Sequence, residues 1–257
     1  MFSLNVYLQG LGALVIAAAC TWLLSLYRRN VAIVDSLWSL MFMLAAFMYA
    51  RGAGVAIGMR GALLLSLVTL WALRLSIYIT WRNWGHGEDR RYQAIRKRNQ
   101  PNFGFKSLYL VFGLQALLAW LISLPLLGAV LSPKPLNLLD VAGAILWLVG
   151  LIFEAGGDAQ LARFKSDPDN RGKIMDRGLW RLTRHPNYFG DFCVWWGFYL
   201  MAVAAGAWWS IVGPLLMSVL LMRVSGVTLL EKDMGRRPQY ADYIRRTNAF
   251  FPWIPRR

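Results

Sequence analysis

Five ionisable side chains lie inside apolar stretches of this sequence, at spacings that favour shared helical faces. Arg74 and Tyr78 are four residues apart, as are Glu154 and Asp158, and Asp35 lies in an earlier stretch. Residues at i and i+4 lie on one face of a helix. Arginine, tyrosine and carboxyl groups can polarise a carbonyl oxygen or transfer a proton. Asp35, Arg74 and Tyr78 are therefore candidate catalytic residues, with an Asp35–Arg74 ion pair as the structural alternative.

A second group of candidates combines cations, carboxylates and amides in and around the segment 164–195. Lysine and arginine bind phosphates, and Asp, Glu and Asn can bind a ribose or a base. Pro186 suits the first turn of a helix, whose positive end would face an anionic ligand. We therefore predict a nucleotide-binding site. Its candidate residues are Glu154, Asp158, Lys165, Asn170, Arg171, Lys173, Arg184, His185, Asn187, Tyr188, Asp191 and Trp195.

The elements that must position these residues are long and apolar. Of the 257 residues 57% are hydrophobic, yet the formal net charge is +15. Such a charge fits either a soluble nucleic-acid-binding fold or a membrane protein with basic loops. Residues 4–27 and 107–133 carry no charge, and each run exceeds the roughly 20 residues that cross a bilayer as a helix. We expect an all-α integral membrane protein and no nucleic-acid partner.

We predict a seven-transmembrane helix bundle that forms a single domain over residues 1–257. The last two spans come from one uncharged run, 192–222, with Gly206 at the turn. A single tilted helix over this run is the alternative. The predicted spans are 4–27, 31–50, 61–81, 107–131, 138–160, 186–205 and 208–227.

The distribution of basic residues predicts the orientation of these spans. With seven crossings, 24 of the 28 Lys and Arg residues fall on one side, which the positive-inside rule assigns to the cytoplasm. We expect the N-terminus outside and a cytoplasmic tail, 228–257. Asp35 and Arg74 would lie about 6 and 10 Å from the inner ends of their helices, which predicts a polar cavity that opens inward. Basic residues such as Lys97 and Arg98 are expected to meet anionic lipid head groups.

Several kinds of site are absent from the sequence. No Gly-rich dinucleotide motif follows a strand pattern, and no phosphate-binding GKS/T loop occurs. The two cysteines, Cys20 and Cys193, lie in apolar runs, and two histidines cannot build a His-rich centre. We expect no metal site.

Two adjacent motifs carry a family resemblance. FKSDPDNRGK (164–173) and GLWRLTRHPNYFGD (178–191) resemble the steroid 5-alpha-reductase-like family, in particular its bacterial branch. VDSLW (34–38), EDRRY (88–92), SGVTLLEK (225–232) and YADYIRRTNAFFPW (240–253) support the resemblance. The RHPNY part is also similar to the motif of isoprenylcysteine carboxyl methyltransferases, which bind S-adenosylmethionine.

The resemblance implies a fold, a cofactor and a reaction. In these reductases seven transmembrane helices enclose NADPH, which reduces a carbon–carbon double bond conjugated to a ketone. It implies cofactor contacts at Asp158, Lys165, Lys173, Asn187, Asp191 and Trp195, and a cavity lined by Arg74 and Tyr78. Tail positions Arg223, Glu231 and Tyr243 are further implied contacts. The expected partners are a lipophilic substrate and membrane lipids, and the expected location is a bacterial inner membrane, with a monomer plausible.

One departure from the family pattern affects the substrate site. Such reductases hold the substrate ketone with a glutamate on the second helix and a tyrosine on the third, where this chain has Asp35 and Trp71. Tryptophan cannot protonate an enolate. Either Tyr78 or Tyr92 serves instead, or the substrate is not a 3-ketosteroid. The alternatives to a reductase are an S-adenosylmethionine-dependent membrane methyltransferase and a non-enzymatic lipid-binding or transport protein.

Overall fold

The computed structural model describes residues 2–52, 54, 57–224, 227, 231 and 238–255, and every regular element in these residues is helical. The expected all-α class is therefore confirmed for the described part of the chain. The chain divides into two compact units, Met1–Leu136 with Ala202–Ser210, and Asn137–Met201 with Ile211–Arg257. Each unit is described by itself.

The main helices follow one another along the described residues of the first 136 positions. They are α1 (Leu4–Arg28), α2 (Val34–Gly52), α3 (Met59–Asn83), α4 (Arg90–Arg98), α5 (Phe103–Ile122) and α6 (Leu124–Val130). Ser3 caps α1 by accepting a hydrogen bond from the Val6 amide, and Arg29 ends the helix in a left-handed conformation. Helices α1, α2 and α3 pack in sequence order, and the side chains of Leu14, Phe42 and Trp71 are fully buried.

Helix α5 is interrupted where we predicted a single span over 107–131. It begins at Phe103, contains a π-helical stretch at Leu108–Gly113, and ends at Ile122 before α6 begins at Leu124. Pro125 accounts for the break, because proline has no amide hydrogen to donate and its ring clashes with the preceding turn. The predicted span is therefore two helical segments.

Further helices follow in the described residues after position 136. They are α7 (Leu138–Ser166), α8 (Leu179–Leu182), α9 (Pro186–Ala205), α10 (Trp208–Val224) and α11 (Pro238–Arg246). Asn137 and Asp140 form a capping box at the start of α7, and Gly206, with φ of 91°, makes the turn after α9. A positive φ favours glycine, which agrees with the turn predicted there.

Glycines allow the backbones of α7 and α9 to approach closely. A Cβ atom at Gly190 would lie 2.4 Å from the Glu154 amide nitrogen, and one at Gly150 would lie 2.6 Å from the Gly190 carbonyl oxygen. Gly143 and Gly197 meet in the same way about two helical turns farther along. Small residues at such positions are typical of helix pairs in membranes, where close van der Waals packing drives association.

Replacing Gly190 with alanine is expected to destabilise the protein by about 1–3 kcal/mol, because the added methyl group overpacks a backbone contact. The measurement is the melting temperature of the purified protein in detergent. Gly12→Ala is the matched control: it also adds one methyl group within a helix, and nothing lies within 4 Å of the new Cβ. An equal melting temperature for the two variants would contradict this account of the α7–α9 contact.

Six helices among the described residues are long and apolar enough to cross a membrane. They overlap the first six predicted spans and fit an integral membrane protein. The segment predicted as the seventh span, 208–227, contains the shorter apolar helix Trp208–Val224. Residues 225 and 226 lie outside the described part of the chain. The six spanning helices are Leu4–Arg28, Val31–Gly52, Met59–Asn83, Phe103–Ile122, Leu138–Ser166 and Pro186–Ala205.

Candidate functional site

The predicted catalytic residues lie in the first unit, at the start of α2 and along α3. Asp35, whose side chain is 16% exposed, accepts hydrogen bonds from the Tyr92 hydroxyl at 2.5 Å and from Arg91 Nη2 at 2.9 Å. The phenol and the guanidinium therefore both converge on one carboxylate. This cluster of Asp35, Arg91 and Tyr92 is called the carboxylate cluster below.

Helix α4 brings Arg91 and Tyr92 to Asp35. Asp89 caps this helix by accepting a hydrogen bond from the Arg91 amide at 2.8 Å. Glu88 accepts one from the Val31 amide, just before α2, at 2.8 Å, and one from Arg96 at 2.7 Å. Because Glu88 ties the start of α4 to the start of α2, Tyr92 is held beside Asp35.

Tyr92 is buried and makes two hydrogen bonds. Its hydroxyl donates to Asp35, and its oxygen accepts from Gln115 Nε2 at 3.2 Å. Burial, together with the negative charge of Asp35, raises the pKa of Tyr92. The phenol therefore remains protonated at neutral pH and acts as a hydrogen-bond donor.

Arg74 and Tyr78 contact each other on α3. The guanidinium carbon of Arg74 lies 5.8 Å from the centre of the Tyr78 ring, and that of Arg82 lies 5.7 Å from the same centre. These distances fit cation–π contacts. Trp71 is fully buried, with its ring centre 5.9 Å from that of Phe42, so it contributes packing at this level of α3.

In the second unit, Arg184 and His185 converge on Glu231. Arg184 Nε donates to Glu231 Oε1 at 2.7 Å, and His185 Nε2 lies 3.2 Å from the same oxygen. Arg184 also donates to the backbone carbonyls of Ile244 and Thr247. The RHPNY motif therefore fastens the C-terminal segment, which explains the burial of a charged arginine.

Stability at low pH is expected to depend on Glu231. Burial acts to raise the pKa of this carboxyl, but hydrogen bonds from His185 and Arg184 outweigh burial and lower the pKa from 4.5 to about 2. A depressed pKa stabilises the fold above the unfolded value, and that contribution is lost as the pH falls from 4.5 through 2. We expect the loss to be on the order of 1–2 kcal/mol, since solvent screens the pair.

The measurement is the difference in unfolding free energy between wild type and Glu231→Gln at pH 7 and pH 2.5. The wild type should be the more stable protein at pH 7, and the difference should shrink at pH 2.5. Asp242→Asn is the control, because Asp242 is exposed and pairs with Arg245 at the surface. A constant difference at both pH values would contradict the role of Glu231.

Asp158 and Asn187 meet where α7 lies against the start of α9. Asn187 Nδ2 donates to Asp158 Oδ1 at 3.3 Å, and Asp158 is buried. A Cβ at Gly157 would lie 3.0 Å from the Pro186 ring, so a side chain at this position would crowd the ring beside this pair. Two polar residues predicted to contact the same ligand are thus adjacent. The predicted residues Glu154, Asp191 and Trp195 are also buried in this unit.

The last turn of α7 and the loop that follows it carry exposed cations. Lys165, Arg171 and Lys173 are all exposed. The Asn170 side chain instead turns back onto the loop and donates to the Phe164 carbonyl at 3.1 Å. Exposed lysine and arginine side chains fit the phosphates of a nucleotide. In the described residues no group of three or more His, Cys, Asp or Glu side chains could hold a metal ion.

The remaining predicted residues lie around the same helices. The Tyr188 ring stacks on His185 at 5.7 Å between centres, and the buried Tyr243 hydroxyl donates to the Trp180 carbonyl. Arg223 is exposed within a π-helical stretch at Leu220–Val224. Tyr188 therefore packs against His185 within the same motif, and Tyr243 links α11 to α8.

Two residues in or beside the carboxylate cluster were not predicted from the sequence, and a third had only a secondary place. Arg91 and Gln115 were not predicted, and Tyr92 was named only as an alternative proton donor. The EDRRY motif holds both Arg91 and Tyr92, and the acid at position 89 before a basic run is typical of a helix N-cap. That signal could have predicted α4, but not its contact with Asp35.

The helices and polar clusters define a polytopic membrane protein with ionisable groups at helix ends. The chain belongs to the family described as proteins of unknown function, DUF1295, whose model matches residues 21–247. This family is associated with steroid 5-alpha-reductase-like proteins, so the predicted resemblance is confirmed.

Two curated proteins are similar to the chain. The uncharacterized protein C594.04c of Schizosaccharomyces pombe is 26% identical over 292 residues, covering 98% of this chain and 81% of that protein. The steroid 5-alpha-reductase DET2 of Gossypium hirsutum is 34% identical over 73 residues, covering 28% of this chain and 26% of that protein. No solved structure matches the chain.

Proposed function

We propose that this protein is an NADPH-dependent membrane reductase of a conjugated carbon–carbon double bond in a lipophilic substrate. The observation that carries the proposal is the carboxylate cluster, in which a protonated phenol and a guanidinium converge on Asp35. Family membership and the partial similarity to a steroid 5-alpha-reductase support it.

The carboxylate cluster supplies what reduction of an enone requires at the carbonyl end. Bound NADPH would supply the hydride that reduces the β-carbon of the substrate, and reduction at that carbon places negative charge on the carbonyl oxygen. Tyr92 and Arg91 are donors that stabilise such a charge, an effect worth about 10²–10³ in rate for a single donor. Asp35 positions both donors; when substrate binds, the single Tyr92 proton would turn from Asp35 to the carbonyl oxygen, and the phenol would regain a proton from solvent after the reduction. Burial excludes water from the phenol and strengthens these interactions.

The second unit provides the groups that fit the cofactor. The exposed Lys165, Arg171 and Lys173 suit its phosphates, and the adjacent Asp158 and Asn187 suit hydroxyl and amide groups. Arg184 is already bonded to Glu231 and to two backbone carbonyls. We therefore assign phosphate binding to the exposed cations and structural support to Arg184.

Hydride transfer can be followed directly. Purified protein is incubated with NADPH deuterated at the transferred position and with lipid enones of several classes, and the products are examined by mass spectrometry. The proposal predicts a product that gains one deuterium from the cofactor and one hydrogen from the solvent. Methylated products formed from S-adenosylmethionine, with no NADPH consumed, would contradict it.

We further propose seven spans, with the N-terminus outside and the basic loops in the cytoplasm of a bacterial cell. The six long apolar helices and the shorter one at Trp208–Val224 support this number. Single cysteines at Lys97 and Lys134, two exposed lysines on predicted opposite sides, are expected to differ in labelling by an impermeant maleimide. When each single-cysteine variant is expressed without Cys20 and Cys193 in intact cells, only the cysteine at position 134 should react. Reaction at position 97 would contradict the orientation.

A further inference from the structure

The side-chain amide of Gln115 makes one hydrogen bond with its nitrogen and none with its oxygen among the described residues. Gln115 Nε2 donates to the Tyr92 oxygen at 3.2 Å. Gln115 Oε1 is buried and has no hydrogen-bond partner in the described part of the chain. This oxygen lies inside α5, an apolar membrane helix, beside the carboxylate cluster.

The hydrogen bonds of Tyr92 fix which atom of the amide is the oxygen. A phenol has a single proton, and Tyr92 gives it to Asp35 over 2.5 Å. The Tyr92 oxygen can therefore only accept from Gln115, so the amide nitrogen must face it. A reversed amide would oppose two oxygens with no hydrogen between them. The carbonyl oxygen of Gln115 is thus the atom that lacks a partner.

A buried acceptor without a donor is costly, at about 1–3 kcal/mol. The local structure of α5 is also unusual at this point. The π-helical stretch Leu108–Gly113 ends two residues before Gln115, and a Cβ at Gly113 would lie 3.1 Å from the Leu108 carbonyl. π-Helical turns inside α-helices occur frequently at functional sites. An extra residue in the turn changes the face on which Gln115 lies.

We propose that Gln115 Oε1 accepts a hydrogen bond from a hydroxyl or N–H group of the bound lipid. The inference rests on the proposed function for the nature of the lipid, an enone whose carbonyl is held by Tyr92 and Arg91. The Gln115 nitrogen contacts Tyr92, and the Gln115 oxygen accepts the hydrogen bond from the substrate. The donor group of the substrate therefore lies close to the carbonyl that Tyr92 holds. The substrate is therefore a hydroxylated or amide-bearing enone with an apolar body.

A pair of probes tests this inference by binding alone. One is a long-chain enone with a hydroxyl on the carbon next to the carbonyl, and the other is the same compound without that hydroxyl. Calorimetric titration into detergent-purified protein is expected to show about 10- to 100-fold tighter binding of the hydroxylated probe, the contribution of one buried hydrogen bond. Gln115→Met, which keeps the volume and removes both polar atoms, should abolish the difference.

A control variant keeps the test decisive. Gln9→Met replaces an exposed glutamine of α1 and should leave the preference unchanged. Equal affinities of the wild type for both probes, no binding of either, or a preference that survives in Gln115→Met would overturn the inference. Absence of NADPH binding would instead overturn the proposed function. The comparison of the two probes would still test the hydrogen bond to Gln115.

Discussion

Replacing Tyr92 with phenylalanine is expected to lower the turnover of NADPH-dependent reduction by about 10²-fold or more. The change removes only the hydroxyl that donates to Asp35 and accepts from Gln115. NADPH affinity should stay within about twofold, since no cofactor contact is assigned to Tyr92. The measurement is the initial rate of substrate-dependent NADPH oxidation, together with the cofactor dissociation constant for each variant.

Tyr109→Phe is the matched control for this variant. Tyr109 is 61% exposed on α5, so loss of its hydroxyl should leave the rate unchanged. Asp35→Asn should resemble Tyr92→Phe, because an amide positions the phenol and Arg91 less well than a carboxylate does. Full activity in Tyr92→Phe would remove Tyr92 from the mechanism.

Alanine at Asn187 or Asp191 is expected to weaken NADPH binding by about tenfold or more. A lost hydrogen bond that involves a charged group costs about 1.5–3 kcal/mol, and Asn187 donates to the buried Asp158. Turnover at saturating NADPH should change much less than the dissociation constant. The measurement is a fluorescence titration of each variant with NADPH.

Arg98→Ala is the control for the cofactor variants. Arg98 is exposed at the end of α4 and is assigned to lipid head groups, so its loss should leave NADPH affinity unchanged. Equal losses in all three variants would contradict the assignment of cofactor-binding residues, because a general effect on folding or charge would then explain the data.

The helices of this chain could be predicted because the bilayer imposes a strong length requirement. An uncharged run of 24 or more residues has few structural alternatives, and six predicted spans match long apolar helices. The interruption of α5 was missed because hydropathy does not report hydrogen bonding. Only Pro125 signalled the break, and a π-helical stretch such as Leu108–Gly113 has no comparable signal.

The contacts within the candidate sites were less predictable because they join residues distant in sequence. Asp35 is bonded to Arg91 and Tyr92, more than 50 positions away. The tendency of buried carboxylates to find donors predicts that Asp35 has partners, yet does not say which ones. Arg74, at similar depth on α3, was the partner that the sequence offered for Asp35. The contact with Arg91 depends on where α4 lies, which the sequence does not give.

The same limit applies to the RHPNY motif. Its basic character favours an anionic ligand, and Arg184 was predicted to bind the cofactor. In the structure Glu231, 47 residues later, and the carbonyls of Ile244 and Thr247 bind this side chain. The cofactor contacts predicted for the neighbouring residues stay predictions.

Separate titrations of the detergent-purified protein with NADPH and with S-adenosylmethionine test the central claim most directly. Binding of NADPH is expected to be saturable and to weaken as the salt concentration rises, because cations hold the phosphates. S-adenosylmethionine should neither bind nor compete. Saturable binding of S-adenosylmethionine alone would contradict the claim that this protein is a reductase.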